Sequence, residues 1–186
     1  MTPLDLLADI KAEFSLLLLD DEVTFLTLLK RSCRTYHDSI GFQKTMVLTP
    51  EQLTEGVEAP DDYEGLLTAY DERQQPAPII LHGNTLIYKF GKKSAGDVTV
   101  IYFSDLTRWD FNKDHFPPHT KVSFIHSHLH GLISLANNER LRGMHQAAEL
   151  SADHLPVEAD IRGQLTELEA IMKEHPPFLT AAQLSH

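Results

Sequence analysis

The chain has 186 residues and a net charge of −11, from 16 Lys and Arg against 27 Asp and Glu, with 11 histidines and one cysteine. That length fills one good core and is short for two generous domains; the acidic balance excludes an electrostatic nucleic-acid binder, which needs a basic surface to displace counterions. The lone Cys33 excludes an intramolecular disulfide and fits a reducing compartment, and with no run of ~18 apolar residues and no basic leader region the sequence predicts a chain without membrane contact or processing.

Residues 3–41 read as a pair of helices. Thr2 can cap the first, Pro3 suits its first position, and Leu6, Leu7 and Ile10 recur at helical spacing. Asp20 or Asp21 caps the second, whose Phe25, Leu26, Leu29, Cys33, Tyr36 and Ile40 share one face, and Gly41 is a natural stop. Lys30, Arg31 and Arg34 fall late in that helix, at its negative end. Cys33 sits on the apolar stripe and reads as a packing residue rather than a nucleophile.

The β part spans about 44–104. Residues 45–49 fit a short strand, and 54–62, acidic with Gly56 and Pro60, fit a loop. Residues 63–70 suit a strand or one or two helical turns, and 71–78 form a second loop. Gly83-Asn84 between two apolar runs marks a hairpin, and the β-branched and aromatic run DVTVIYFSD adds a strand to it, for a small antiparallel sheet of three or more strands. Such a sheet needs a partner layer, which helices on either side supply.

Residues 116–136, FPPHTKVSFIHSHLHGLISLA, can be read in two ways. As a strand they put His126, His128 and His130 on one face, a plausible three-imidazole metal site. As a helix they scatter those residues, with His128 roughly opposite His126. The apolar positions favour the helix: Val122, Ile125, Leu129, Leu132, Ile133 and Ala136 fall in one arc about 100° wide, and Pro117-Pro118 suits a helix start. His119, His126 and His130 then border the stripe. A break is expected at Asn137-Asn138, a further helix over 139–151, and a last one from Pro156, with Ile161, Leu165, Leu168 and Met172 inward, ended by Pro176-Pro177. The fold class is α+β, mainly helical with about five helices, as a single domain over 1–175 (helical pair 3–41, β part 44–104, helical part 117–175). A tail over 176–186 carries Phe178, Leu179 and Leu184 and reads as a docking segment or a frayed end.

The His-Ser-His at 126–128 resembles the same triplet of JAMM-type zinc proteases, in which a serine and an acid follow. At that spacing this chain has Ala136 and Glu139, and Leu129 where a proline is usual. The alternative function this raises is a small zinc hydrolase using His126, His128 and Glu139, which requires that 116–136 not be one helix. As a helix, His126 and His130 at i, i+4 are two weak ligands on one face, with Ser127 where H-E-x-x-H has its glutamate. No P-loop, dinucleotide-binding or nucleophile-elbow motif occurs. Asp20-Asp21-Glu22 and Asp61-Asp62 read as cap and loop charges, and Ser151, Asp153 and His154 are near one another in sequence only. Trp109 reads equally as an interface anchor or a core edge.

The order of elements resembles the head-to-tail connector (adaptor, or neck) proteins of tailed bacteriophages. The residues that carry the likeness are the helical pair, then Pro60-Asp61-Asp62-Tyr63-Glu64-Gly65-Leu66-Leu67, a hairpin, Gly96-Asp97-Val98-Thr99-Val100-Ile101-Tyr102-Phe103, a proline-started helix and further helices. The resemblance implies a non-enzymatic virion component without cofactors, made in the host cytoplasm and placed at the neck. It implies a ring, usually of twelve copies, beneath the portal, which extends the DNA channel and supports tail or nozzle proteins. In that family the C-terminal tail commonly reaches the portal, which gives Phe178, Leu179 and Leu184 a docking role. The acidic balance suits a conduit through which the genome passes without binding. Phe124 and Leu135, off the apolar stripe, and Trp109 are then candidate contacts to neighbouring subunits or tail. A second alternative is a soluble regulatory protein that binds one partner through its tail.

Overall fold

The computed structural model describes residues 1–89 and 96–175. In chain order the elements are α1 (Pro3–Glu13), α2 (Glu22–Ser39), β1 (Gln43–Leu48), α3 (Pro50–Glu55), β2 (Val57–Glu58), β3 (Tyr63–Asp71), β4 (Ile79–His82), β5 (Thr85–Tyr88), β6 (Val98–Ser104), α4 (Val122–Ala147) and α5 (Glu158–Lys173). The fold class is α+β, with five helices and two small antiparallel sheets of three strands among the described residues. They form two compact units, Met1–Ile40 with 110–175, and Gly41–Trp109.

The helical unit is started by its caps. Thr2 Oγ1 accepts from Asp5 N at 3.1 Å while Asp5 Oδ2 accepts from Thr2 N at 2.7 Å, a reciprocal pair that satisfies two otherwise orphaned donors. Asp21 takes the same part for α2, accepting from Val23 N and Thr24 N. Leu7, Ile10, Phe25, Leu29, Cys33 and Tyr36 are buried as their spacing predicts, and burial pushes the Cys33 thiol up to about 12, so it stays protonated and inert.

The long helix differs from its sequence reading at both ends. It begins at Val122, not at the prolines, because Pro118 forces Pro117 out of the helical region, and Thr120 N closes a turn on Pro117 O at 2.9 Å. His119 therefore lies ahead of the helix. Lys121, its first flanking residue, donates its backbone N–H to Tyr36 Oη at 3.0 Å. The helix runs through Asn137-Asn138 to Ala147, absorbing the separate helix expected over 139–151. Both asparagines are buried, and their amides leave the helix backbone alone. Asn137 Oδ1 accepts from Leu18 N at 2.7 Å and its Nδ2 donates to Leu16 O at 2.9 Å, while Asn138 Nδ2 donates to Pro156 O at 3.0 Å. The polar side chains that would compete with the helix locally are engaged elsewhere.

In the β unit, residues 63–70 are a strand. The sheets have the orders β1-β6-β3 and β2-β5-β4. The hairpin forms as expected, with Gly83 at φ +62° in its turn. Its further partner is β2, through Val57 and Glu58, rather than β6. The run 98–104 instead lies between β1 and β3, with Val98, Val100, Tyr102 and Ser104 buried in strict alternation. With both edges of β6 filled, one three-stranded sheet built from hairpin plus β6 does not form. Leu48, Leu53, Ala69, Ile79, Leu86, Val98 and Val100 make the common core of this unit. The short helix α3 has its own capping box, Thr49 with Gln52, and Pro50 in the first turn. No helix among the described residues is long and apolar enough to cross a membrane.

Candidate functional site

The chemistry-bearing side chains of the helical unit cluster on α4. His126 and His130 stand one turn apart on the same side, their rings within 10° of parallel and 6.5 Å between centroids. The carboxylate of Glu13, at the end of α1, meets both: Oε1 lies 2.8 Å from His126 Nε2, and Oε2 lies 3.9 Å from His130 Nε2. Phe14 stacks on His130 at 4.8 Å. Glu13, His126 and His130 border a groove of about 830 Å³, with Ser127, Ser134, Asp160 and Gln164 on its walls and Ile161, Leu165 and Leu168 among its apolar lining. The groove is ligand-sized.

His128 faces the other way. Its side chain is 0% exposed, with Nδ1 3.1 Å from Ser32 Oγ and Nε2 3.2 Å from Glu169 Oε1. Burial pulls its pKa down, Glu169 pulls it back up by hydrogen bond and charge, and the net is below the ordinary histidine value. A serine, a histidine and an acid are thus in line, but Ser32 is buried and donates its hydroxyl hydrogen to Ile125 O at 3.0 Å. The arrangement ties α2, α4 and α5 together and presents no nucleophile to a substrate.

The helix separates the residues of the hydrolase alternative. His126 and His128 are about 200° apart around the axis, and Glu139 is about 16 Å farther along it, at the surface, 3.9 Å from Arg162. Among the described residues no three His, Cys, Asp or Glu side chains are grouped to hold a metal. Phe124 is half-buried and meets His175 edge-on at 5.4 Å, and Leu135 is half-buried. Trp109 is a core residue of the β unit, 9% exposed, packed on Phe42 at 4.6 Å between centroids and donating from Nε1 to Ser104 Oγ at 2.7 Å. Its burial removes it from the contact residues. Phe178, Leu179 and Leu184 lie outside the described residues.

One polar cluster escaped sequence reading. Asp62, taken there as a loop charge, accepts from Lys44 Nζ at 2.6 Å, Ser104 Oγ at 2.5 Å and Tyr102 Oη at 3.4 Å, joining β1, β6 and the segment that enters β3. Burial works to raise its pKa, but the Lys44 and Ser104 hydrogen bonds and the Lys44 charge outweigh that and hold it below the usual carboxylate value. Burial first, then the Asp62 charge and hydrogen bond, push Tyr102 up to about 12. A lysine from β1 and a tyrosine and a serine from β6 meeting one aspartate leave no trace in local pattern.

No protein-family model matches the sequence, and no curated protein matches it.

Proposed function

We propose that the protein is a structural subunit, a head-to-tail connector that assembles as a ring under a portal, extends the DNA channel and supports tail attachment. The observation that carries this reading is the chain order. A helical pair, α1 and α2, is followed by a β unit inserted as one excursion between Ile40 and Asp110, and then by the long α4 and by α5. That is the order through which the sequence resembles connectors. The net charge of −11 suits a channel wall that repels phosphate. Val23 on α2 and Val47 on β1 are 71% and 60% exposed, apolar surface that subunit contacts would cover. Phe124 and Leu135 remain candidate contacts, and Phe178, Leu179 and Leu184 candidate portal anchors.

Native mass spectrometry over a concentration series, alone and with the cognate portal ring, tests this. A high-order oligomer, free or on the portal, is expected. A chain that stays monomeric at every concentration and ignores the portal overturns it. Deleting residues 176–186 is expected to abolish portal attachment and leave the fold intact.

A further inference from the structure

The cations of α2 stand where the helix itself gains nothing from them. Val23, Thr27, Lys30, Arg31 and Arg34 fall in one arc about 100° wide, and all are exposed. Lys30 and Arg34 carry like charge at i, i+4, a pairing that disfavours an isolated helix. The last turn, where a cation meets the negative end of the dipole, holds His37 instead. Lys30, Arg31 and Arg34 form no hydrogen bond or ion pair among the described residues, and Asp38, the acid in the same arc, pairs with none of them. In a chain of net charge −11, unpaired cations are gathered into one stripe.

The opposite charge is gathered in the β unit. No Lys or Arg occurs between Lys44 and Arg73, and Lys44 is taken by Asp62. Glu51 and Glu55, one turn apart on α3, Glu58 on β2 and Asp61 are exposed and without an ion pair among the described residues. Glu58 accepts only from the neutral Asn84 amide, at 3.3 Å.

We propose that the Val23–Arg34 face of α2 docks on the Glu51–Asp61 segment of a second copy of this chain, a contact that rests on the connector reading and names the surfaces that close its ring. Charge complementarity selects the occupant, since the stripe and the acidic segment each lack a partner that the other supplies. Both also come with an exposed valine, Val23 in the first turn of α2 and Val47 three residues before α3, 71% and 60% exposed, which gives the contact apolar surface to bury. The two surfaces differ, so the contact is heterologous. Each added copy leaves one stripe and one acidic segment free, and addition repeats until the ring closes. Duplex DNA is a poorer match, because so few cations neutralise few phosphates and Asp38 repels them.

Sedimentation velocity of the full chain over a concentration series, at about 0.05 M and about 0.5 M salt, tests the contact with two charge-reversed variants, Lys30→Glu/Arg34→Glu and Glu51→Lys/Glu55→Lys. All four side chains are exposed, so both variants are expected to keep the fold, checked by circular dichroism. The native chain is expected to assemble, and to do so more weakly at high salt. Each variant alone should need at least about tenfold more protein to assemble. An equimolar mixture of the two should regain native assembly, because the reversed stripe of one meets the reversed segment of the other. Native assembly that neither reversal weakens, or a mixture that recovers nothing, overturns the contact and leaves the ring reading standing. A native chain that is monomeric at every concentration also overturns the contact, and the ring reading falls with it only where the portal is ignored as well. A duplex oligonucleotide bound by the native chain but not by Lys30→Glu/Arg34→Glu, with assembly unchanged, assigns the stripe to nucleic acid and overturns the proposal.

Discussion

Nε2 of His128 lies 3.2 Å from Oε1 of Glu169, with the imidazole wholly buried and the carboxylate 36% exposed. Burial lowers its pKa, the Glu169 hydrogen bond and charge raise it, and the Arg31 charge lowers it, for a folded value below the unfolded one of about 6.5. A depressed folded value means that the unfolded chain binds the proton more readily. The contribution of His128 to stability is thus full above about 6.5 and is lost as pH falls through the folded value. Denaturant unfolding across pH checks this: the stability gap between the native protein and His128→Gln is expected to narrow on acidification. Glu169→Gln removes the partner that raises the pKa, so its acid limb should extend to lower pH.

Asp62 is expected to anchor the β unit. Asp62→Asn keeps the shape but removes the charge that Lys44, Ser104 and Tyr102 address, and should cost about 2 kcal/mol. Trp109 is the only tryptophan and donates to Ser104 within the same cluster, so its fluorescence reports the unfolding of this unit. Because the folded pKa of Asp62 is depressed, its contribution is present above the unfolded carboxylate value of about 3.9 and is lost as pH falls through the folded one. The same variant should bring Tyr102 down from about 12 toward an ordinary phenol, read by ultraviolet titration.

Two glycines with left-handed backbones separate strain from collision. Gly41 has φ +82°, and a Cβ there would run into the Phe103 ring, whereas Gly83 has φ +62° and open space where its Cβ would lie. Gly83→Ala should therefore cost about 1 kcal/mol, from the backbone alone. Gly41→Ala should cost about 2–4 kcal/mol, because ring and backbone must both move. Equal losses in thermal or denaturant unfolding would show that Phe103 yields freely.

Asn137→Ala should be among the costlier single changes in the helical unit. It leaves Leu16 O and Leu18 N without their partner in a half-buried setting, a loss of about 2–3 kcal/mol by chemical unfolding. Asn137→Ser is expected to recover little, since a hydroxyl is too short to span both groups.

Sequence alone determined what depends on neighbours within a few residues. Thr2 and Asp21 announce their helices because a cap needs an acceptor only three positions ahead of its donors, and Gly83-Asn84 announces its hairpin because a two-residue turn closes locally. The apolar arc of 122–136 decided in favour of a helix over the strand that would have built a metal site, since periodicity is written in the residues themselves. Tertiary structure decided everything that turns on distant partners. The run 98–104 reads as a strand, but only the folded chain chooses β1 and β3 over the adjacent hairpin. Asn137-Asn138 reads as a break until Leu16, Leu18 and Pro156 engage the amides. Glu13 stands 113 residues from His126, and Lys44 and Ser104 stand 18 and 42 residues from Asp62. Side-chain hydrogen bonds of that range follow from how the elements pack, and no local pattern encodes them.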